Sequence, residues 1–336
     1  MARMALFAFL VLTGCGRYAD FTLPTPEGPA RNVQFTWSSR PAPVLGRGAP
    51  GAFDSHDALN PAVVNRGGVL YNFYSGFDGS SWRTGLATSR DGIEWQKQGV
   101  VLAPDAGTWE GSYIAANGSA LLVNGQFWYW YVGGAKDLPR LGLARSADGR
   151  QFTKERNPVL DPGPRGSWDE RGVADPYVVR SGAYFYLFYL GQDRARRQRL
   201  GVARSADGLH FEKLRANPVL ELGEDGAFDE QGLGEPAVWQ SMGWYWMLYT
   251  GRNRSERRRM GLAQSRDGVA WRRLPALFAG EQTWDNEVVC DPEVDRGASS
   301  VNVWFGGGNV RSPDENLNGQ IGAGTLMPVS DATLKR

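Results

Sequence analysis

Four copies of one short pattern constrain this chain more than any other feature: GLATSRDGIEW, GLARSADGRQF, GVARSADGLHF and GLAQSRDGVAW, with serines at positions 89, 146, 205 and 265. Their spacings of 57, 59 and 60 residues suit a unit of four short strands with one extended loop. Ahead of each copy an aromatic strand ends in glycine, as YNFYSG, FWYWYVG, YFYLFYLG and WYWMLYTG, and a fifth such strand, VNVWFGG, ends at Gly307. The strands before these begin NPAVV, NGSALLV, DPYVV, EPAVW and DPEV.

The fifth unit continues through IGAGT, Ile321 to Thr325, and then lacks the Asp-Gly turn and a fourth strand. The other end of the chain supplies a candidate. Gln34-Phe35-Thr36 with the later APVL is similar to QFTKERNPVL and FEKLRANPVL, and it leads into Phe53-Asp54 as they lead into Trp168-Asp169 and Phe228-Asp229. The expected fold is an all-β, five-bladed β-propeller over residues 33–328, closed by an N-terminal strand that completes the last blade, with 329–336 as a tail. Such closure removes free sheet edges.

The composition agrees: 13 Trp, 12 Tyr, 15 Phe and 44 Gly suit many short aromatic strands joined by tight turns. With 37 basic and 36 acidic side chains there is no global pull toward nucleic acid or an anionic surface, so any charge-based specificity must be local. In the Ser-x-Asp-Gly element Asp accepts local backbone hydrogen bonds and Gly takes a positive φ. Recurrence in four units marks it as architecture, although it is similar, imperfectly, to the Asp-box turn of sialidases.

At the N-terminus, Met1-Ala2-Arg3, an apolar run from Met4 to Leu12 and Thr13-Gly14-Cys15 form a basic, apolar and small-residue series. LTGC resembles a bacterial lipobox. The resemblance implies a signal peptide at 1–14, cleavage before Cys15 with lipid on its thiol, and a Pro- and Gly-rich tether at 15–32; Gly16 is similar to the residue after the cysteine in outer-membrane lipoproteins. Membrane attachment is expected through lipid only. With Cys15 acylated, Cys290 has no disulfide partner, and its apolar surroundings predict a small core residue.

In an up-and-down unit the start of the first strand and the loop between strands two and three share a face, opposite the Asp-Gly turns. On that face the first residues of the innermost strands are, in ring order, Asn60, Asn117, Asp175, Glu235 and Asp291. Innermost strands surround the axis, so these side chains are expected to meet in one funnel, where like charge and burial raise at least one pKa. Proline follows in four of the five, which fixes how the strand begins.

These residues resemble the five-bladed propeller superfamily of arabinanases, β-xylosidases and invertases, glycoside hydrolase families 43 and 32 and their relatives. The resemblance covers nearly all of the mature chain in architecture, through short motifs. By it, Asp175 within Ala174-Asp175-Pro176 orients substrate and tunes the acid, and Glu235 within Gly234-Glu235-Pro236 is the general acid. The blade-one position is Asn60 where those enzymes carry an aspartate, and Asn-Pro there looks more like the mannoside phosphorylase relatives, in which phosphate replaces water. A compensating base would be Asp57, Asp54 or Asp291.

Two loops on the same face, QDRARRQR and RNRSERRR, carry four and five arginines. They read either as solvated charged loops, with Asp193 and Glu256 as partners, or as forks for an anionic ligand, with Arg194 and Arg254 foremost: a uronate-containing glycan, a phosphorylated sugar or inorganic phosphate. His56 is a candidate substrate contact, and Trp82, Trp109, Trp168 and Trp284 lie near the rim either as sugar platforms or as packing between blades. His210 falls on the turn side. No His/Cys cluster suggests zinc and no cofactor is required; a calcium in the axial channel is possible but unsupported. The expectation is a monomeric cell-envelope glycosidase-like enzyme acting on a poly- or oligosaccharide; the alternatives are a non-catalytic glycan-binding lipoprotein and a glycoside phosphorylase.

Overall fold

A computed structural model describes residues 18–297 and 299–330, so Cys15 and the signal segment lie outside the described residues. Every element among them is a β-strand, and the chain is all-β. Strand pairing divides them into five successive antiparallel groups. The third group is representative: Gly172–Ser181, Tyr184–Gln192, Gln198–Ser205 and Glu212–Leu214 pair in order. Alternation drives this arrangement. Phe185, Leu187 and Tyr189 go to one side of their strand and Tyr186 and Phe188 to the other, and all five are buried because each group packs against one on either side.

In the fifth group, Val288–Arg296, Val301–Gly308 and Gln320–Ser330 are followed by Val33–Ser39, which pairs antiparallel with Gln320–Ser330 from Val33↔Ser330 to Ser39↔Gly324. The ladders run as two separate sheets, of thirteen and nine strands, and no single closed sheet forms. Between the fifth and first groups the links are discrete: Ala58 N–H donates to Gly319 O at 3.0 Å, and Trp304 Nε1 donates to Gly92 O at 2.7 Å.

Each Asp-Gly turn is built alike. Ser89 Oγ accepts the N–H of Gly92, while Asp91 Oδ1 accepts those of Ile93 and Glu94; Ser146/Asp148, Ser205/Asp207 and Ser265/Asp267 repeat this. The turn glycines have φ between 70° and 76°. Gly208 packs against Trp128 and Trp130 of the preceding group, so the turn is a wedge between groups as well as a reversal.

A second repeat lies on the opposite side. Asp54, Glu110, Asp169 and Asp229 are buried, each bonded to a tyrosine of the second strand (Tyr74, Tyr131, Tyr189, Tyr249) and a cation of the fourth (Lys97, Lys154, Lys213, Arg273). In the fifth group Asp285 remains, but Phe305 replaces the tyrosine and no paired cation is present among the described residues.

The stretch read as a tether is packed onto the body from Tyr18 on. Tyr18–Ala19 pairs in parallel with Glu212–Leu214, Leu23 is buried beside Gly268 with its N–H on Asp267 O, and Tyr245 donates to Pro24 O at 2.7 Å.

Candidate active site

Asn60, Asn117, Asp175, Glu235 and Asp291 line one cavity of about 30 Å³. All five have left-handed backbones, with φ of 49°, 53°, 49°, 50° and 51°. Four sit at register shifts, between Ala116 and Ser119, Ala174 and Tyr177, Gly234 and Ala237, and Cys290 and Glu293; in the first group the strand is interrupted after Leu59. A bulge of this kind re-aims one side chain and leaves the next residue unpaired. Proline suits that next position because it has no N–H to leave unsatisfied. Asn and Asp tolerate positive φ, but Glu does so rarely, so Glu235 marks local strain held by its surroundings.

Hydrogen bonds link the five from Asn117 round to Asn60, with Asp175 accepting from both of its neighbours. Asn117 Nδ2 donates to Asp175 Oδ1 at 2.7 Å, Glu235 N–H to Asp175 Oδ2 at 3.3 Å, and Asp291 N–H to Glu235 Oε2 at 3.2 Å. Asn60 N–H then donates to Asp291 Oδ2 at 3.3 Å and its Nδ2 to Asp291 Oδ1 at 2.6 Å. Between Asn60 and Asn117 the sequence breaks, and Asn117 N–H goes to Ser75 Oγ at 2.8 Å.

Burial, followed by the charge of Glu235, pushes Asp175 up to about 7 from its usual 3.8, against the opposing hydrogen bonds of Glu235 N–H and Asn117. Asp291 is raised well above the carboxylate range by burial and then by Glu235. Glu235 is the least buried of the three. Arg258, buried beside them, keeps its proton: burial opposes its charge, but Glu235, Cys290 and Asp291 outweigh it. The cluster is therefore proton-rich with one fixed cation. Its floor is also acidic, since Glu293 lines the same cavity and is held protonated by burial and by Asp295.

Neither upstream carboxylate reaches this cavity, which corrects the expectation that Asp54 or Asp57 compensates for Asn60. Asp54 is tied to Tyr74 at 2.9 Å and Lys97 at 2.5 Å. Asp57 is fully buried and accepts the N–H groups of Asn316, Leu317 and Gly319 at 2.6, 2.9 and 2.7 Å. It staples the loop at 309–319. That loop passes from the fourth group, where Arg252 and Arg258 donate to Pro313 O, to the second, where Tyr113 and Lys136 bind Glu315 at 3.0 and 2.7 Å, and then to Asp57 of the first. Touching three groups within seven residues, it crosses the mouth of the funnel.

His56 joins this bridge through Asn316 at 2.9 Å. Trp168 fills the space over Gly191 and Gly201 against Tyr189, and Trp109 and Trp284 repeat that packing, so these rings serve the scaffold. Arg194 pairs with Glu170 at 3.1 Å and Arg254 with Asp225 at 2.5 Å, both away from the cavity lining. The arginine that does approach the acids is Arg258; its one sequence signal is that it heads a third strand where Gln198 heads the preceding one. Cys290 was read as core, and it is buried, yet its Sγ also donates to Asp291 Oδ2 at 3.1 Å. Its sulfur and the carboxylates of Glu235 and Asp291 approach within 4.8 Å of one another. Two carboxylates and a protonated thiol beside an arginine do not form the six-to-eight-oxygen shell that calcium takes.

The profile of the glycosyl hydrolases family 32 N-terminal domain matches residues 70–216. Over residues 70–216 the chain is similar in sequence to that glycosidase family, and its fold is that of the propeller glycoside hydrolases, some members of which are phosphorylases. Uncharacterized protein Rv1502 of Mycobacterium tuberculosis (strain ATCC 25618 / H37Rv) is 30% identical over 229 residues, covering 63% of this chain and 75% of that one. The 1,2-beta-oligomannan phosphorylase of Thermoanaerobacter sp. (strain X514) is 29% identical over 139 residues, 40% of this chain and 43% of that one. Among solved structures, one from work on the GH130 mannoside phosphorylases, a family containing hydrolases that target β-1,2 mannosidic linkages in Candida mannan, aligns with a TM-score of 0.68 at 16% identity. It covers 93% of this chain and 97% of that one. The Bombyx mori GH32 β-fructofuranosidase aligns with a TM-score of 0.63 at 17% identity, over 86% and 63% of the two chains.

Proposed function

We propose that this protein is a cell-envelope enzyme that breaks glycosidic bonds of a poly- or oligosaccharide, with Glu235 as the general acid. The observation that carries the reading is the set of three carboxyls, Asp175, Glu235 and Asp291, that line one cavity, with Asp175 accepting the backbone N–H of Glu235 and Glu235 that of Asp291. Glu235 is the most accessible, so it is the group a glycosidic oxygen meets; Asp175 and Asp291 retain protons and resupply it. Arg258 holds the charge left on Glu235 after proton transfer. The chemistry uses no cofactor.

One observation favours phosphorolysis as a second reading. With Asp54 and Asp57 committed elsewhere and Asn60 bound to Asp291, the first group offers no carboxylate to activate water, whereas phosphate brings its own nucleophilic oxygen. On either reading the five groups are blades of one ring, completed by Val33–Ser39, and the mature protein is a monomer anchored by lipid on Cys15 after removal of residues 1–14.

The test is a glycan panel assayed with and without inorganic phosphate, scored for free sugar and for sugar phosphate. Glu235→Gln is expected to abolish both products while leaving glycan affinity nearly intact. Unchanged turnover overturns the assignment, and wild-type binding without product over long incubation establishes a binding lipoprotein instead.

A further inference from the structure

The N-terminal strap fixes which face of the molecule can meet a bilayer. Gln198–Ser205 runs from the funnel side to the Asp-Gly turn, Glu212–Leu214 returns, and Tyr18–Ala19 lies parallel to that returning strand. The chain therefore arrives at Tyr18 from the turn side. Beyond Ala19 it goes back to that side: Phe21 packs on Tyr186 with ring centroids 6.0 Å apart, and Leu23 caps the turn at Gly268. Pro29 then lies against Gly243, and Arg31 exchanges hydrogen bonds with Met242 and Trp244. From residue 18 to the strand at Val33 the strap crosses the turn face of the third and fourth groups and leaves the funnel untouched.

We infer that the turn face, at the edge of the third group, is a docking surface for the lipid bilayer, and that the funnel opens away from the membrane. The inference rests on the lipoprotein reading of Cys15. Three residue steps separate Cys15 from Tyr18, about 10 Å at full extension, too short for the anchored molecule to turn over. A long free tether would have left the orientation undefined. A second observation points the same way. Among the described residues, four of the seven exposed large apolar side chains, Ile93, Leu122, Tyr184 and Met327, lie at the turn side, at 36, 40, 37 and 45% exposure, while Val100, Leu277 and Val310 lie toward the other face. Tyr184 stands beside the strap, where Arg204 covers both it and Phe21. An aromatic ring and an arginine at the point where the chain approaches its anchor suit the headgroup layer.

The experiment uses the full-length protein, expressed with its signal and reconstituted in phosphatidylcholine vesicles that carry a spin-labelled lipid as quencher. Mass spectrometry first reads acylation of Cys15. Single reporter cysteines, Leu122→Cys and Tyr184→Cys on the turn face and Asp314→Cys on the funnel side, carry a thiol-reactive fluorophore; buried Cys290 stays unlabelled. Quenching at 122 and 184 is expected to exceed that at 314 at least threefold. Leu23→Asp, which releases the strap from Gly268, is expected to erase the difference while the circular dichroism spectrum is retained. Acylated protein with equal quenching at the three positions, or with the order reversed, overturns the orientation and leaves the lipoprotein reading standing. Absence of an acyl mass on Cys15 overturns both.

Discussion

Asn60 donates its side-chain amide to Asp291 Oδ1 at 2.6 Å, across the junction where the last group of strands meets the first. An aspartate at position 60 could not make that bond without a shared proton. Asn60→Asp is therefore expected not to create a water-activating base but to raise the pKa of the pair further. Its kcat/KM should fall about tenfold or more, with the pH optimum displaced upward. A pH–rate profile of the variant checks this, and a gain in hydrolysis would contradict it.

The elevated pKa of Asp175 has a consequence for stability. Its folded value, about 7, exceeds the usual 3.8, so between those values the folded state binds more protons than the unfolded state. The contribution is fully present below about pH 3.8 and is lost as pH rises through about 7. Asp175→Asn removes the titration. The variant should gain urea resistance relative to wild type more at pH 8 than at pH 5; midpoints at the two pH values decide it.

Four buried acid–tyrosine–cation sets invite a ranking. Lys213 is 5% exposed and Asp169 1%, whereas Lys97 is 31% exposed against an Asp54 at 2%. Burial lowers the pKa of Lys213 even though Asp169 supports its charge, which shows how little water reaches the pair. Lys213→Met leaves a carboxylate buried without its cation and should cost about 3 kcal/mol or more. Lys97→Met should cost less, and Asp285→Asn, with no paired cation to strand, least. Equal losses in thermal or urea unfolding would refute the ordering.

The bridge over the funnel mouth depends on Asp57 and on Lys136. Asp57→Ala removes the acceptor of three backbone N–H groups and should destabilise the 309–319 loop strongly, seen as rapid proteolysis there. Lys136→Met breaks a half-exposed contact to Glu315 and should change global stability by less than about 1 kcal/mol. It should act on KM, because the bridge spans the opening.

The strand order was legible because alternation and turn chemistry are local: YFYLFYLG can satisfy both faces only as a strand packed on two sides, and Ser-x-Asp-Gly carries its own hydrogen bonds. The five axial positions were legible for the same reason, since repetition aligned them. What distinguished Asp54 and Asp57 from them was not. Both lie on the right rim in sequence, but Asp54 finds Lys97 on the fourth strand and Asp57 finds a loop some 260 residues away. Arg258 was hidden in a run of arginines of which Arg254 and Arg257 pair outward, and only the register of its strand selects it. The strap at 18–32 looked like a linker because Pro24, Pro26, Gly28 and Pro29 crowd its middle; Leu23 and Phe21, which dock it, are two residues among many.

The pairing of Val33–Ser39 with Gln320–Ser330 also sets an order of events. Val33–Ser39 has no partner until Gln320–Ser330 is made, with Thr36 and Met327 separated by 291 residues, so over that interval of synthesis an aromatic-bearing edge stays exposed. A protein wired in this way gains little from folding as it is made. Removal of Gln320–Ser330 would leave Val33–Ser39 without its partner strand.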